Sequence, residues 1–117
     1  MPFEKTASKL FNYPFKKVYE AVYFSIKPMG GKIVKNEPAN KFLQAQMDKK
    51  LYGKVLGDRS MLEVTFRSES DSSTRVDVLG YPLNAVGQKL MFGARPGVVD
   101  TVLAAFFDEI EKRLNAN

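Results

Sequence analysis

The spacing of the apolar residues changes twice along the chain, and this constrains the fold more than any other feature of the sequence. From residue 32 to residue 81 the spacing is two, which is typical of strands that bury one face. On either side of this segment, at 15–26 and from 97 to about 114, apolar side chains recur every three or four positions. That spacing indicates one buried face of an α-helix. The sequence therefore predicts strands flanked by two helices.

The boundaries and faces of both helices can be predicted from individual residues. Pro14 fits the first turn of the first helix, and Pro28 with the glycines after it ends that helix. Its apolar stripe comprises Phe15, Val18, Tyr19, Val22, Tyr23 and Ile26. The spacing of the aromatic residues Tyr13, Tyr19, Tyr23 and Phe24 favours core packing over a cofactor site, with Tyr23 or Phe24 left at the surface. The second helix has Asp100 in its first turn and Lys112 and Arg113 in its last, where each charge opposes the helix dipole.

Short strands are predicted between the helices, at 32–36, 41–48, 60–69 and 74–81, and one more strand is predicted before the first helix, at 4–11. The side chains expected to face the core are Leu43, Ala45, Met47, Leu62, Val64, Phe66, Val76 and Val78. Residues 49–59 fit either a bulged strand or a loop. Lysines alternate with Tyr52 at 49–54, and an exposed basic hairpin is favoured there over a surface for single-stranded nucleic acid.

The last two strands are predicted to form a hairpin that turns at residues 70–73, and their charges indicate a register. Two registers keep the apolar side chains on one face. One places Arg67 opposite Asp77 and Glu69 opposite Arg75, whereas the other places Arg67 opposite Arg75. Opposite charges across a strand pair contribute about 0.2–1 kcal/mol, and like charges destabilise the pair. The first register is therefore predicted.

These elements predict a single α+β domain over 1–117, because no repeat or linker divides the chain. We expect a two-layer sandwich in the order β-α-β-β-β-β-α. An antiparallel β-sheet of four to five strands would have an N-terminal helix and a long C-terminal helix packed on one face.

A family resemblance is carried by Tyr13-Pro14-Phe15, Val18-Tyr19, Gly30-Gly31-Lys32-Ile33 and Ser73-Thr74-Arg75-Val76-Asp77-Val78. With these residues the order of elements resembles a shortened helix-grip domain, the fold of the Bet v 1 and START-related lipid binders. It also resembles several small bacterial α+β domains of unknown function. The resemblance is one of topology and implies no particular functional residues.

Three residue types are absent from the 117-residue chain, namely His, Cys and Trp. The absence of His and Cys excludes Cys/His metal sites, thiol nucleophiles, His general bases and Ser-His-Asp triads. We predict no catalytic residues, no metal and no cofactor. Chemistry by carboxylate, Lys or Tyr side chains is left open, because it depends on geometry.

The net charge of +5 is unevenly distributed. Residues 1–54 contain eleven lysines and four acidic residues, a net +7, whereas residues 55–117 contain seven basic and nine acidic residues, a net −2. Binding of nucleic acid or of an anionic surface through the Lys-rich half is therefore an alternative function. A solvated cationic surface is favoured, since every Arg lies in the other half. A protein-interaction or homo-oligomer module using the open sheet face is a further alternative.

The segment 83–97 is long for a connection inside a compact domain, and such loops are often functional. It is predicted either as a short amphipathic helix that caps the core or as a lid that moves on its glycines. The lid would help to hold a small apolar or amphipathic ligand between the sheet and the helices, without catalysis. The candidate ligand-binding residues are Leu90, Met91, Phe92, Arg95 and Tyr81. For Arg95, pairing with a nearby acid is favoured over binding of a phosphate or carboxylate.

Localisation is predicted from the absence of targeting segments in the sequence. Residues 1–15 include Glu4, Lys5 and Lys9 and contain no apolar stretch of signal-peptide length. No stretch approaches the roughly 20 apolar residues of a membrane span. We therefore predict a cytoplasmic protein without a membrane span, and the oligomeric state is left open.

Overall fold

Two helices and seven strands make up the part of the chain that the computed structural model describes, which is residues 3–90, 92–95 and 97–116. The elements are β1 (Lys5–Phe11), α1 (Phe15–Ile26), β2 (Gly31–Glu37), a 3₁₀ turn (Pro38–Asn40), β3 (Phe42–Met47), β4 (Lys50–Leu51), β5 (Lys54–Val55), β6 (Arg59–Ser70), β7 (Ser73–Leu83) and α2 (Val98–Asn115). Neither helix in this part of the chain is both long and apolar enough to cross a membrane.

Five of the strands form one antiparallel sheet in the order β1-β7-β6-β3-β2. Both helices pack against one of its faces, with α2 the longer of the two. The predicted α+β architecture and element order are therefore confirmed. The eight strand residues expected to face the core are all buried. Their alternation with half-exposed neighbours follows from the two-residue period of a strand that is covered on one side.

The core between the sheet and α2 is filled by side chains. Phe106 and Ile110 on α2 are both 0 % exposed, and they share one continuous cluster with Phe66 on β6, whose ring lies 4.9 Å from that of Tyr19 on α1. Protein interiors pack at nearly crystalline density, so side chains that are this fully buried leave little room for a guest molecule. Among the described residues, the space beneath α2 is thus occupied by the protein itself.

The register of the β6–β7 hairpin differs from the predicted one. Arg67 lies directly opposite Arg75, so the predicted pairing of Arg67 with Asp77 across the ladder is wrong. The two ion pairs nevertheless form on the diagonal, with 2.9 Å from Arg67 Nε to Asp77 Oδ2 and 2.9 Å from Arg75 Nε to Glu69 Oε2. Diagonal neighbours in a twisted sheet are within reach of long side chains. Charge pairing therefore could not distinguish the two registers.

The hairpin's turn explains which register is adopted. A two-residue turn joins Ser70 to Ser73, and a bulge between Ser68 and Ser70 precedes it. Turn length and bulges fix the register of a hairpin more strongly than surface charges do. Serine side chains stabilise this turn, because Ser70 Oγ accepts a hydrogen bond from the Ser72 N–H at 3.2 Å and lies 2.8 Å from Ser73 Oγ.

At one edge of the sheet, β2 is interrupted by a bulge. Its pairing with β3 shifts between Ile33 and Lys35, and the intervening Val34 is 46 % exposed. Gly31, at the start of β2, lies very close to α1. A Cβ atom there would be 2.6 Å from Met47 Sδ and 2.9 Å from Ile26 Cγ2. The absence of a side chain at Gly31 therefore allows the edge strand to approach the end of α1.

Residues 50–55 form a small hairpin of β4 and β5 that lies beside α2. Tyr52, in its turn, adopts a left-handed backbone conformation (φ 51°), and its hydroxyl donates a 2.6 Å hydrogen bond to Glu109 Oε1 on α2. Leu51 and Leu56 pack against the edge of the core, whereas Val55 is exposed. Residues 49–54 therefore belong to an exposed basic hairpin, rather than to the bulged strand or loop considered for 49–59.

Candidate ligand-binding groove

The segment after β7 folds back on itself without forming the predicted short helix. Asn84 Oδ1 accepts hydrogen bonds from the N–H groups of Val86 (3.0 Å) and Gln88 (2.9 Å), and the Leu90 N–H donates to the Pro82 carbonyl (2.9 Å). Asn side chains that bond the backbone two residues on stabilise turns and compete with helices. This turn replaces a helix over 84–90, and 92–95 is not helical either.

The residues of the predicted site in this segment face different surroundings. Leu90 is partly buried, Phe92 is 86 % exposed, and Met91 lies outside the described residues. Arg95 is held beside Asp58, because its N–H donates to Asp58 Oδ2 at 2.8 Å and its Nε lies 3.8 Å from Oδ1. Arg95 thus pairs with a nearby acid, and its role in ligand binding stays a prediction. Its side chain also lines a groove of about 280 Å³ near the N-terminus of α2.

Tyr81 lies on the open face of the sheet, away from the helices. Its hydroxyl donates a 2.7 Å hydrogen bond to Glu63 Oε2, and Lys89 Nζ lies 4.5 Å from the ring centroid. Burial, followed by the bond to Glu63, raises the pKa of Tyr81 to about 12. Tyr81 is not among the residues that line the groove beside Arg95, and their joint role in ligand binding stays a prediction.

A different concave surface lies at the β2 edge of the sheet, where α1, β2 and the last turns of α2 meet. It is an open groove of about 620 Å³, within the range of small-molecule sites. We call it the Phe24 groove, and its lining comprises Tyr23, Phe24, Ile26, Lys27, Pro28, Gly31, Lys32, Ile33 and Arg113. Aromatic and aliphatic side chains dominate this set, and its charged members are cationic.

The helical period of α1 explains why aromatic rings face this groove. Val22 and Ile26 point into the core and are 0 % and 1 % exposed, and the two aromatic residues directly after Val22 face outward. Tyr23 remains 37 % exposed and Phe24 58 % exposed. Their rings meet edge to face, with centroids 5.1 Å apart at 83°, a favourable arrangement for an aromatic pair.

A second compartment of about 460 Å³ adjoins the Phe24 groove and shares Phe24 and Arg113 with it. Its other lining residues are Pro14, Lys16, Lys17, Glu20, Ala21 and Leu114. Phe24 thus stands where the two concave surfaces meet. A large apolar side chain in such a position offers contact area to a molecule in either compartment.

Arg113 is held in place by contacts that lead to the β4–β5 hairpin. Its Nε lies 3.1 Å from Glu109 Oε2, and Glu109 Oε1 accepts the hydrogen bond from Tyr52. The Glu109 side chain is only 15 % exposed. Burial, followed by the bond to Glu109, raises the pKa of Tyr52 to about 12, so this hydroxyl remains a donor at neutral pH. The contacts therefore orient the guanidinium at the border of the groove.

The sequence contained only part of the signal for this site. Exposure of Tyr23 or Phe24 could be predicted from the helix period, but Arg113 showed only the pattern of a cation at a helix end. Residues distant in the chain meet here, and helical spacing does not reveal such contacts. Within 3–90, 92–95 and 97–116, no three acidic side chains gather as they would to hold a metal ion.

No protein-family model and no curated protein sequence matches the chain. Among solved structures, protein MLL2253 from Mesorhizobium loti is similar over 97 % of this chain and 98 % of its own, at 14 % identity and a TM-score of 0.57. Ara h 8.0201 is similar over 97 % and 99 %, at 11 % identity and a TM-score of 0.57.

A third similar structure is the di-domain ARO/CYC BexL from the BE-7585A biosynthetic pathway. The likeness covers 97 % of this chain and 44 % of BexL, at 13 % identity and a TM-score of 0.54. At such low identities these likenesses concern the fold alone. They agree with the resemblance to helix-grip domains and to small bacterial α+β proteins that the sequence indicated.

Proposed function

We propose that this protein binds a small apolar or amphipathic molecule in the Phe24 groove without transforming it. The observation that carries the proposal is the exposure of Phe24, which is 58 % accessible at the junction of two concave surfaces. When a ligand covers exposed apolar surface in a groove, the removal of that surface from water favours binding by about 25 cal/mol per Å².

Two further observations support a site at the edge of the sheet. The side chains beneath α2 are almost completely buried, so a ligand between the sheet and the helices has room only where the helical layer ends. The helix-grip resemblance adds an expectation, because that fold is associated with lipid binding. The absence of His and Cys supports binding rather than catalysis.

The test is a fluorescence titration with N-phenylnaphthylamine, a neutral apolar probe. We expect saturable binding to the wild-type protein and a loss of about tenfold in affinity for Phe24→Ala, because a substantial contact area is removed. Phe92→Ala is the matched control, since it truncates another exposed phenylalanine, in the segment that the sequence singled out. It should change the affinity less than about twofold.

Two results would overturn the proposal. One is the absence of saturable binding to the wild-type protein. The other is a loss of binding in Phe92→Ala with none in Phe24→Ala, which would place the ligand at the segment 83–97. Unfolding curves for both variants check whether a loss of binding comes from misfolding. We expect both variants to fold, since each side chain is exposed.

A further inference from the structure

We infer that the molecule held in the Phe24 groove is an anionic amphiphile, with an apolar chain or ring and a carboxylate, sulfonate or phosphate group that lies against Arg113. This inference rests on the proposed function and adds the chemical class of the ligand.

The charges around the groove favour an anion. The two compartments are lined by five cationic side chains and one acidic one: Lys16, Lys17, Lys27, Lys32, Arg113 and Glu20. An apolar floor with a cationic border complements a molecule that has an apolar body and a negative group. A neutral apolar ligand would gain nothing from these charges.

Arg113 is the cation best placed to contact the negative group. It lines both compartments, and its side chain is 36 % exposed. A guanidinium has five N–H donors in a fixed fork and binds carboxylate and phosphate groups in a bidentate manner. Glu109 contacts the Nε atom at 3.1 Å and is itself bonded to Tyr52. Glu109 and Tyr52 are thus positioning residues that hold the fork in a defined orientation.

Lys112, the preceding residue on α2, provides a natural comparison. It also pairs with an acid one helical turn earlier, with 3.4 Å from its Nζ to Asp108 Oδ2. Its side chain is 71 % exposed and lines neither compartment. Replacing either residue by glutamine removes one positive charge and one ion pair with a partner four residues earlier. The difference in ligand affinity between the two variants therefore reports the effect of a charge that lines the groove, apart from the loss of a charge and an ion pair on α2.

The shape of the site favours a single free molecule over a lipid bilayer. The groove is concave, and its volume of about 620 Å³ matches one small ligand. A bilayer surface would instead be met by apolar side chains that project outward. We therefore assign the site to a monomeric amphiphile in solution.

The experiment compares decanoate with decanol, which share a chain and differ in charge. Both compete with bound N-phenylnaphthylamine at neutral pH, below the concentrations at which they aggregate. We expect decanoate to bind the wild-type protein about tenfold more tightly than decanol, as for a charge-assisted contact. Arg113→Gln should abolish this preference by weakening decanoate binding, whereas Lys112→Gln should retain it to within about twofold. Tyr52→Phe should reduce the preference about twofold to threefold without changing decanol binding.

The outcomes separate this inference from the proposed function. If Phe24→Ala abolishes probe binding but wild-type protein does not prefer decanoate, the inference fails and the proposed function stands. If the preference survives Arg113→Gln, the assignment to Arg113 is wrong. Binding to vesicles with anionic lipids, but not to free decanoate, would overturn the choice of a monomeric ligand. If the wild-type protein binds neither probe nor competitor, both proposals fail.

Discussion

The two edges of the sheet are covered by helices in different ways. At the β1 edge, α2 packs closely against the strand. The Phe11 and Phe107 rings are stacked with their centroids 6.3 Å apart, and Lys9 Nζ lies 3.0 Å from Glu111 Oε1. At the β2 edge, α1 ends at Ile26 and the chain turns back into the edge strand. The groove with the exposed Phe24 lies there.

Helix length accounts for this difference. α2 has 18 residues and α1 has 12, so at about 1.5 Å per residue α1 is roughly 9 Å shorter. A helix that ends early leaves part of the sheet edge and of its own outer face without cover. The comparison teaches that a concave surface can arise at the end of a helix, beside a core whose side chains are closely packed.

The largest expected effect contrasts a phenylalanine of the core with one of the groove. Phe106 is 0 % exposed and Phe24 is 58 % exposed. Phe106→Ala should lower the free energy of unfolding by about 3–5 kcal/mol, because it leaves a cavity in a packed core. Phe24→Ala should lower it by less than about 1 kcal/mol. Urea unfolding of both variants measures the difference, and equal losses would contradict the distinction between filled core and open groove.

An intermediate effect on the free energy of unfolding is expected when a glycine is replaced by alanine, either beside α1 or below α2. At Gly31 a Cβ would lie 2.6 Å from Met47 Sδ and 2.9 Å from Ile26 Cγ2, whereas at Gly80, below α2, its nearest neighbour would be Val99 Cγ1 at 3.0 Å. Gly31→Ala also crowds the buried Met47 and should destabilise the protein by about 1–3 kcal/mol through overpacking.

Gly80→Ala is the matched control, with an expected loss below about 1 kcal/mol, since a small displacement of Val99 relieves the contact and alanine favours the folded strand. Thermal or urea unfolding compares the pair. A larger loss for Gly80→Ala would show that the helical layer is packed more tightly below α2 than beside α1.

The smallest expected effect concerns the hairpin that holds Arg113 in place. The pKa of Tyr52 is raised to about 12, so the folded protein retains a proton that the unfolded chain releases at about pH 10. This contribution to stability is complete below about pH 10 and is lost as the pH rises toward 12.

Tyr52→Phe should therefore have a shallower decline in the free energy of unfolding over this pH range. Urea unfolding at a series of pH values measures it. Tyr13→Phe is a suitable control, because its hydroxyl bonds to Asn115 and not to the hairpin. An identical decline in Tyr52→Phe and the wild-type protein would contradict the coupling between the hairpin and α2.

Much of the fold could be predicted because apolar spacing reports burial directly. Pro14 and Pro28 marked the limits of α1 closely, and the inward faces of β3, β6 and β7 were predicted correctly. The hairpin register was predicted wrongly, since Arg67 can reach Asp77 on the diagonal as well as across.

The candidate site could be predicted only in part, because it depends on contacts between distant segments. The sequence directed attention to 83–97, whose length is visible without a structure. The folded chain places Arg113, at the end of α2, beside Phe24 on α1, almost ninety residues away in sequence. A pattern within one helix carries no information on which element packs beside it.

The bulge at Val34 has a consequence for an open groove beside a sheet edge. An unpaired strand next to exposed apolar side chains is a template on which another chain could add a strand and begin to aggregate. The bulge interrupts the row of backbone groups that such an addition would need, and exposed Lys32 and Lys35 repel a second copy of the same edge. The edge of β2 can therefore border a groove that is open to small molecules while resisting the addition of polypeptide strands.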